Sequence, residues 1–151
     1  MEGCDFCAIA KGANHSVPVV CEDDAWVAFF PLKPATTGHT LIIPRRHVAD
    51  VWELDPALGA DLMAAVVRVG RAVQAAVRPE GMNLISSKGG AAEQTVFHLH
   101  LHLLPRWKRD GFERIWPSGS DVDESELPSV ADRIRSECSD GHEKSPPLRL
   151  G

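Results

Sequence analysis

The chain has 151 residues, 44% of them hydrophobic and 25% charged, which is enough for one compact domain with tails and too short for two ordinary ones. A formal charge of −5 argues against a nucleic-acid polymer as partner, because sequence-independent affinity for a phosphate backbone comes from clustered Lys and Arg. The start, Met1-Glu2-Gly3-Cys4-Asp5, is acidic, and no run reaches the ~20 apolar residues of a membrane span, so a cytoplasmic location without membrane association is expected.

Cys4-Asp5-Phe6-Cys7 opens the chain as a C-x-x-C pair, open to three readings: reduced thiols, a redox couple, or half of a metal site. No helix-opening context of the thioredoxin kind surrounds it, which weakens the redox reading. Four cysteines in a cytosolic chain favour thiols or a metal over disulfides. Val19 to Glu22 and Ala25 to Phe30 read as short strands joined by the Asp23-Asp24 turn. A third, apolar and β-branched, runs from Thr40 to Pro44 after Gly38-His39. His47 follows that strand's end.

Asp55-Pro56 is a helix start, with Asp55 as N-cap and proline at the first helical position. Leu58, Leu62, Val66, Val69, Val73 and Val77 then recur at intervals of four and three, an apolar stripe that makes this a core-packing helix. Arg78-Pro79-Glu80-Gly81 ends it, and Met82 to Ser86 is the next strand. Glu126 to Cys138 reads as a short amphipathic helix, and 139–151 as a disordered tail. Residues 1–138 are therefore expected to form one domain.

The stretch from Gln94 to Leu104 carries the chemistry. Imidazole and leucine alternate strictly, so a strand here sends His98, His100 and His102 to one face and Leu99, Leu101 and Leu103 to the other. Same-face neighbours stand ~6.5 Å apart. Three imidazoles in a line can share a metal only on a strongly bent strand; alternatively, one is a nucleophile or base that its neighbours orient. The preceding loop, Ser86-Ser87-Lys88-Gly89-Gly90-Ala91-Ala92, favours the second reading. Small residues leave backbone N–H groups open to an anion, and the hydroxyls and Lys88 add donors and charge.

With these blocks in order, Cys4-x-x-Cys7, Ala28-Phe29, Gly38-His39-Thr40-Leu41-Ile42-Ile43-Pro44-x-x-His47 and Gln94-Thr95-Val96-x-His98-x-His100-x-His102, residues 4 to 106 resemble the histidine-triad (HIT) family of nucleotide hydrolases and transferases. The resemblance implies an α+β, HIT-like fold: an antiparallel sheet of about five strands with one long helix, here followed by the short C-terminal helix, and usually paired as a homodimer. It implies that His100 attacks the α-phosphate of a purine nucleotide derivative or dinucleoside polyphosphate, forming a nucleotidyl-histidine. His102 would stabilise the phosphate, and Gln94 and Thr95 would contact phosphate or leaving group. His98 would join the triad or, with Cys4, Cys7 and His47, hold a structural Zn2+. Phe6, Ile9, Phe29 and Leu32 fall where the family builds its base pocket, and Ser87 stands where a phosphate-loop Asn is common. Pro31 replaces the usual ribose-binding Asp, and Glu93 the usual Gly. Phosphorylase or transferase chemistry, or nucleotide binding with little catalysis, are the alternatives.

Overall fold

The computed structural model describes residues 3–112, 115–116, 119 and 122–142. They fall in two compact units, one within Met1–Phe112 and the other within Glu113–Gly151. The first unit runs α1 (Asp5–Ala10), β1 (Val19–Glu22), β2 (Trp26–Phe29), β3 (Thr40–Pro44), a 3-10 turn (Val51–Glu53), α2 (Pro56–Val77), β4 (Gly81–Ile85), a second 3-10 turn (Gly90–Ala92) and β5 (Leu101–Arg106). The strands form one antiparallel sheet in the order β1-β2-β3-β5-β4, the five-stranded α+β architecture expected.

Helix α2 begins as its sequence dictates: the Asp55 carboxylate accepts from the Leu58 N–H at 2.9 Å and Pro56 sits in the first turn. It ends at Arg78, whose left-handed backbone (φ 46°) leads into Pro79. Leu62, Ala65, Val69 and Val73 are buried against Trp26, Ala28, Ile42, Leu101 and Leu103, with Leu58, Val66 and Val77 packed at the margin. Alternate residues of the same strands face the other way: Val27, Phe29, Leu41 and Ile43 close over Ile9, Ala10 and Val17. The sheet therefore has two apolar faces, one covered by α2 and the other by α1 and the segment that follows it.

Three features of the fold, the first two of them departures from the sequence expectation, bear on function. The C-x-x-C pair does open a helix: α1 spans six residues, and its N-cap is the thiol of Cys4, which accepts from the Cys7 N–H at 3.5 Å. The histidine stretch is not one strand. β5 starts only at Leu101, after the ladder with β3 has paired Ile42 with Leu101 and Leu41 with His102. The next positions cannot extend it, because Pro44 has no N–H to donate and its carbonyl accepts from His98 Nε2 at 2.9 Å. Finally, Gly38 (φ 81°) immediately precedes His39, and a Cβ there would lie 3.2 Å from Val77 Cγ1, so only glycine leaves the approach to β3 undisturbed.

In the second unit a 3-10 turn capped by Asp123 (Glu124–Glu126) leads into α3, Leu127–His142. The helix runs four residues past the expected end at Cys138, so 139–142 are helical rather than part of a tail; the rest of that expected tail, 143–151, lies outside the described residues.

Candidate functional site

Because β5 begins late, the three triad histidines point to different partners. His98 is fully buried and donates from Nε2 to the Pro44 carbonyl, which turns its Nδ1 lone pair toward the start of the chain. There Nδ1 lies 3.6 Å from Cys4 Sγ and 3.5 Å from Cys7 Sγ, and His47 Nδ1 lies 3.2 Å from Cys7 Sγ. All four ligand atoms fall within 4.8 Å of one another. A tetrahedral ion with metal–ligand bonds of ~2.0–2.3 Å sets its ligands ~3.3–3.8 Å apart, so this Cys₂His₂ set has the spacing and the donor chemistry to hold a metal ion. Burial, reinforced by hydrogen bonding and charge from Cys4, pushes the Cys7 thiol up; a cation among the sulfurs would reverse that. The Pro44 carbonyl orients His98 as an outer-shell partner of a metal-binding imidazole does.

His100, two residues on, is 8% exposed. Its Nδ1 lies 2.8 Å from the His98 carbonyl, so Nδ1 carries the proton and Nε2 keeps its lone pair for an electrophile. The edge of the Phe6 ring stands 5.3 Å, centroid to centroid, from its imidazole, nearly perpendicular to it.

His102 is fixed by a residue that the sequence reading treated only as the lead into a strand. The Ala35 N–H donates to His39 Nδ1 at 3.1 Å, so His39 holds its own proton on Nε2. That Nε2 is 2.9 Å from His102 Nδ1, and the two rings stack with centroids 5.1 Å apart. Nδ1 of His102 thus accepts and its Nε2 carries the hydrogen, a donor beside His100, whose ring centroid is 4.9 Å away. Burial, then the positive forms of His100 and His39 nearby, push His102 down to about 4, so it is neutral at pH 7. Burial lowers His39 and His98 as well. The juxtaposition of a nucleophilic lone pair and a neutral N–H donor fits attack on an electrophile that develops negative charge. Sequence could not reveal the role of His39: it depends on β3 pairing with β5, which sets Leu41 opposite His102 and brings His39 to the same edge.

Three of the four residues expected to line a base pocket cluster together. Phe29 and Ile9 are buried in the α1-side core with Phe6 against them, the Phe6 and Phe29 rings edge to face at 5.6 Å. Leu32 is 74% exposed and outside this cluster. Ser87 is half-buried and Thr95 exposed on the loop before the triad. Gln94, expected to contact phosphate or the leaving group, is 5% exposed, accepts from the Gly89 N–H at 2.8 Å and donates to the carbonyls of Ala49 (2.8 Å) and Val96 (3.2 Å). Its amide is engaged in holding the loop. Lys88, which the sequence puts at the loop's mouth, pairs with Asp50.

Comparison with known proteins agrees with this geometry. The family model described as "HIT domain" matches residues 13–109. "Protein hit" of Bacillus subtilis is 38% identical over 121 residues, covering 80% of this chain and 83% of that protein. Adenosine 5′-monophosphoramidase hnt1 of Schizosaccharomyces pombe is 32% identical over 134 residues, covering 88% and 96%. Among solved structures, a HIT-family member from B. subtilis superposes with a TM-score of 0.81 at 34% identity, covering 89% of this chain and 96% of that one. A zinc-bound histidine-triad protein from Mycobacterium smegmatis superposes with a TM-score of 0.66 at 32% identity, covering 89% and 97%. Triad, sheet and family model converge: the chain belongs to the histidine-triad (HIT) family.

Proposed function

We propose that this protein is a hydrolase of nucleoside phosphate derivatives, dinucleoside polyphosphates or nucleoside phosphoramidates, acting through a nucleotidyl-histidine on His100. The observation that carries the proposal is the pair of fixed tautomers: His100 Nε2 with a free lone pair, backed by the His98 carbonyl, beside His102 Nε2–H. The Nε2 lone pair forms a bond to the α-phosphorus, and the bond from phosphorus to the leaving oxygen or nitrogen breaks with its electron pair, that atom taking a proton from solvent. The His98 carbonyl stabilises the positive charge on the substituted ring, and His102 Nε2–H donates to a phosphoryl oxygen. Water then attacks phosphorus, loses a proton to solvent, and the N–P pair returns to His100. The named activity of the S. pombe relative, a monophosphoramidase, supports this reaction class and a purine substrate.

The base would lie against Phe6, which stands edge-on beside His100 and is backed by the buried Ile9 and Phe29. Ser87 and Thr95 supply hydroxyls on the phosphate side. Cys4, Cys7, His47 and His98 would hold Zn2+ as a structural ion; with four protein ligands it leaves no open position for substrate and ties α1 to the catalytic segment. Free thiols, Cys138 among them exposed, fit a reducing, cytoplasmic setting. Homodimerisation is supported by β4, an edge strand whose Leu84 is exposed, together with exposed Met63 and Val67 on α2. Catalysis is assigned to the first unit, which contains the whole family match.

The test is intact-protein mass spectrometry after a rapid acid-free quench with a panel of dinucleoside polyphosphates and phosphoramidates. A nucleotidyl increment in the wild type, absent in His100→Ala, is expected. Turnover by a correctly folded His100→Ala would refute the mechanism.

A further inference from the structure

Two features beside the site have no part in the mechanism above. Asp50 is 5% exposed, and both its oxygens are engaged: Oδ1 accepts from the Trp52 N–H at 2.9 Å, and Oδ2 pairs with Lys88 Nζ at 3.2 Å. A buried carboxylate is costly unless paired, so the turn is built to hold that ammonium, which itself remains more than half exposed. Two residues on, Trp52 presents 74% of its surface to solvent, and Phe97 is 61% exposed on the neighbouring segment.

Gln94 joins these pieces to the triad. Its side chain links the loop at Gly89 to the carbonyls of Ala49 and Val96, and the Leu99 N–H donates to the Val48 carbonyl at 2.6 Å. The loop bearing Lys88, the turn bearing Trp52 and the segment running from Phe97 into His98 and His100 are thus one hydrogen-bonded block. An anchored cation on the loop and an exposed indole on the turn are joined through Asp50, which binds both segments.

We propose that Lys88, held by Asp50, and Trp52 form a second subsite that receives the leaving portion of the substrate, and that this portion is itself a nucleoside phosphate. The ammonium matches its phosphate and the indole its base. A small amine would leave both unused. Stacking on an aromatic side chain is tolerant of base identity, so the subsite selects the leaving group's class without selecting its base. The inference rests on nucleotidyl transfer to His100 and narrows it to dinucleoside polyphosphates.

The test is calorimetric binding to the His100→Ala chain, which lacks the nucleophile, with a nucleoside monophosphate and a dinucleoside triphosphate of the same base. The dinucleotide is expected to bind more tightly. Adding Trp52→Ala should cut that preference by about ten-fold or more, as expected for loss of one stacked base, and Trp52→Phe should restore most of it. An unchanged preference in a folded Trp52→Ala chain overturns the subsite. If the dinucleotide binds no tighter than the monophosphate to begin with, the subsite falls and the hydrolase reading stands; if neither ligand binds, both fall. A change in oligomeric state on gel filtration with an unchanged preference would make Trp52 a subunit contact and likewise overturn the proposal.

Discussion

Replacing His39 isolates the hydrogen-bond relay from the bulk of the fold. Its Nδ1 accepts from Ala35 and its Nε2–H donates to His102 Nδ1 at 2.9 Å, which is what keeps a proton on His102 Nε2. In His39→Ala, the exposed Ala35 amide recovers water, whereas the half-buried His102 Nδ1 loses its donor, at a cost of about 1–3 kcal/mol. The kinetic effect is larger in kind. Complete loss of one donor to a developing oxyanion costs about 10²–10³ in kcat, but a released imidazole still samples the Nε2–H tautomer, so about a ten- to hundred-fold fall is expected. Two near-isosteric variants separate tautomer control from packing. His39→Gln can accept from Ala35 through its oxygen and donate to His102 through its nitrogen, and should stay within about ten-fold of wild type. His39→Glu can only accept, draws the His102 proton to Nδ1, and should be as impaired as Ala or more so. Steady-state kcat on a dinucleoside polyphosphate, with ¹⁵N shifts of the His102 ring reporting the tautomer, decides the matter. Equal rates for the Gln and Glu variants, or a wild-type rate for His39→Ala, would refute the relay.

Removing the proposed ion with a chelator, or changing Cys7→Ser, should free α1 first, because an isolated six-residue helix is unstable in water. Amide exchange at Phe6 to Ala10 should accelerate well before exchange in α2; uniform acceleration would show that the cluster does not tie α1 down. Acid should destabilise the fold. His102 titrates at about 4 when folded and near 6.5 when unfolded, so between those values the unfolded chain binds more protons and stability falls as pH drops. Melting curves at pH 7 and pH 4.5 should therefore separate more for wild type than for His102→Asn. Gly38→Ala should cost about 1–3 kcal/mol, since alanine is strained at φ 81° and its methyl group meets Val77 at 3.2 Å. It should also lower kcat by displacing the adjacent His39; a melting temperature within 1–2 °C (roughly 0.5 kcal/mol) of wild type would contradict the strain argument.

Much of this protein is legible in its sequence because the deciding interactions are local. Asp55-Pro56 and the stripe from Leu58 to Val77 specify α2 through capping and the helical period. Thr40 to Pro44 specifies β3 through β-branched apolar residues, and both coincide with the observed elements. The order of cysteines, His47 and triad carries the family resemblance, and with it the four residues that the fold brings within metal-binding distance, since donor type and spacing are sequence properties. Leu32 and Gln94 were read from the same resemblance, and only the folded backbone reveals that one stands exposed and the other spends its amide on the loop. The alternation of His98, His100 and His102 suggests three side chains on one strand face, sharing the work between them. Tertiary structure separated them, because Pro44 cannot donate to an extended β5 and its carbonyl captures His98, directing that ring to the thiols. His39 and Asp50 carry no local signal: their roles arise when β3 meets β5 and when the turn after His47 meets the glycine loop. Local hydrogen bonding and side-chain period are written into neighbouring residues, whereas the tautomer of an imidazole and the partner of a buried carboxylate depend on groups brought from 38 and 63 residues away.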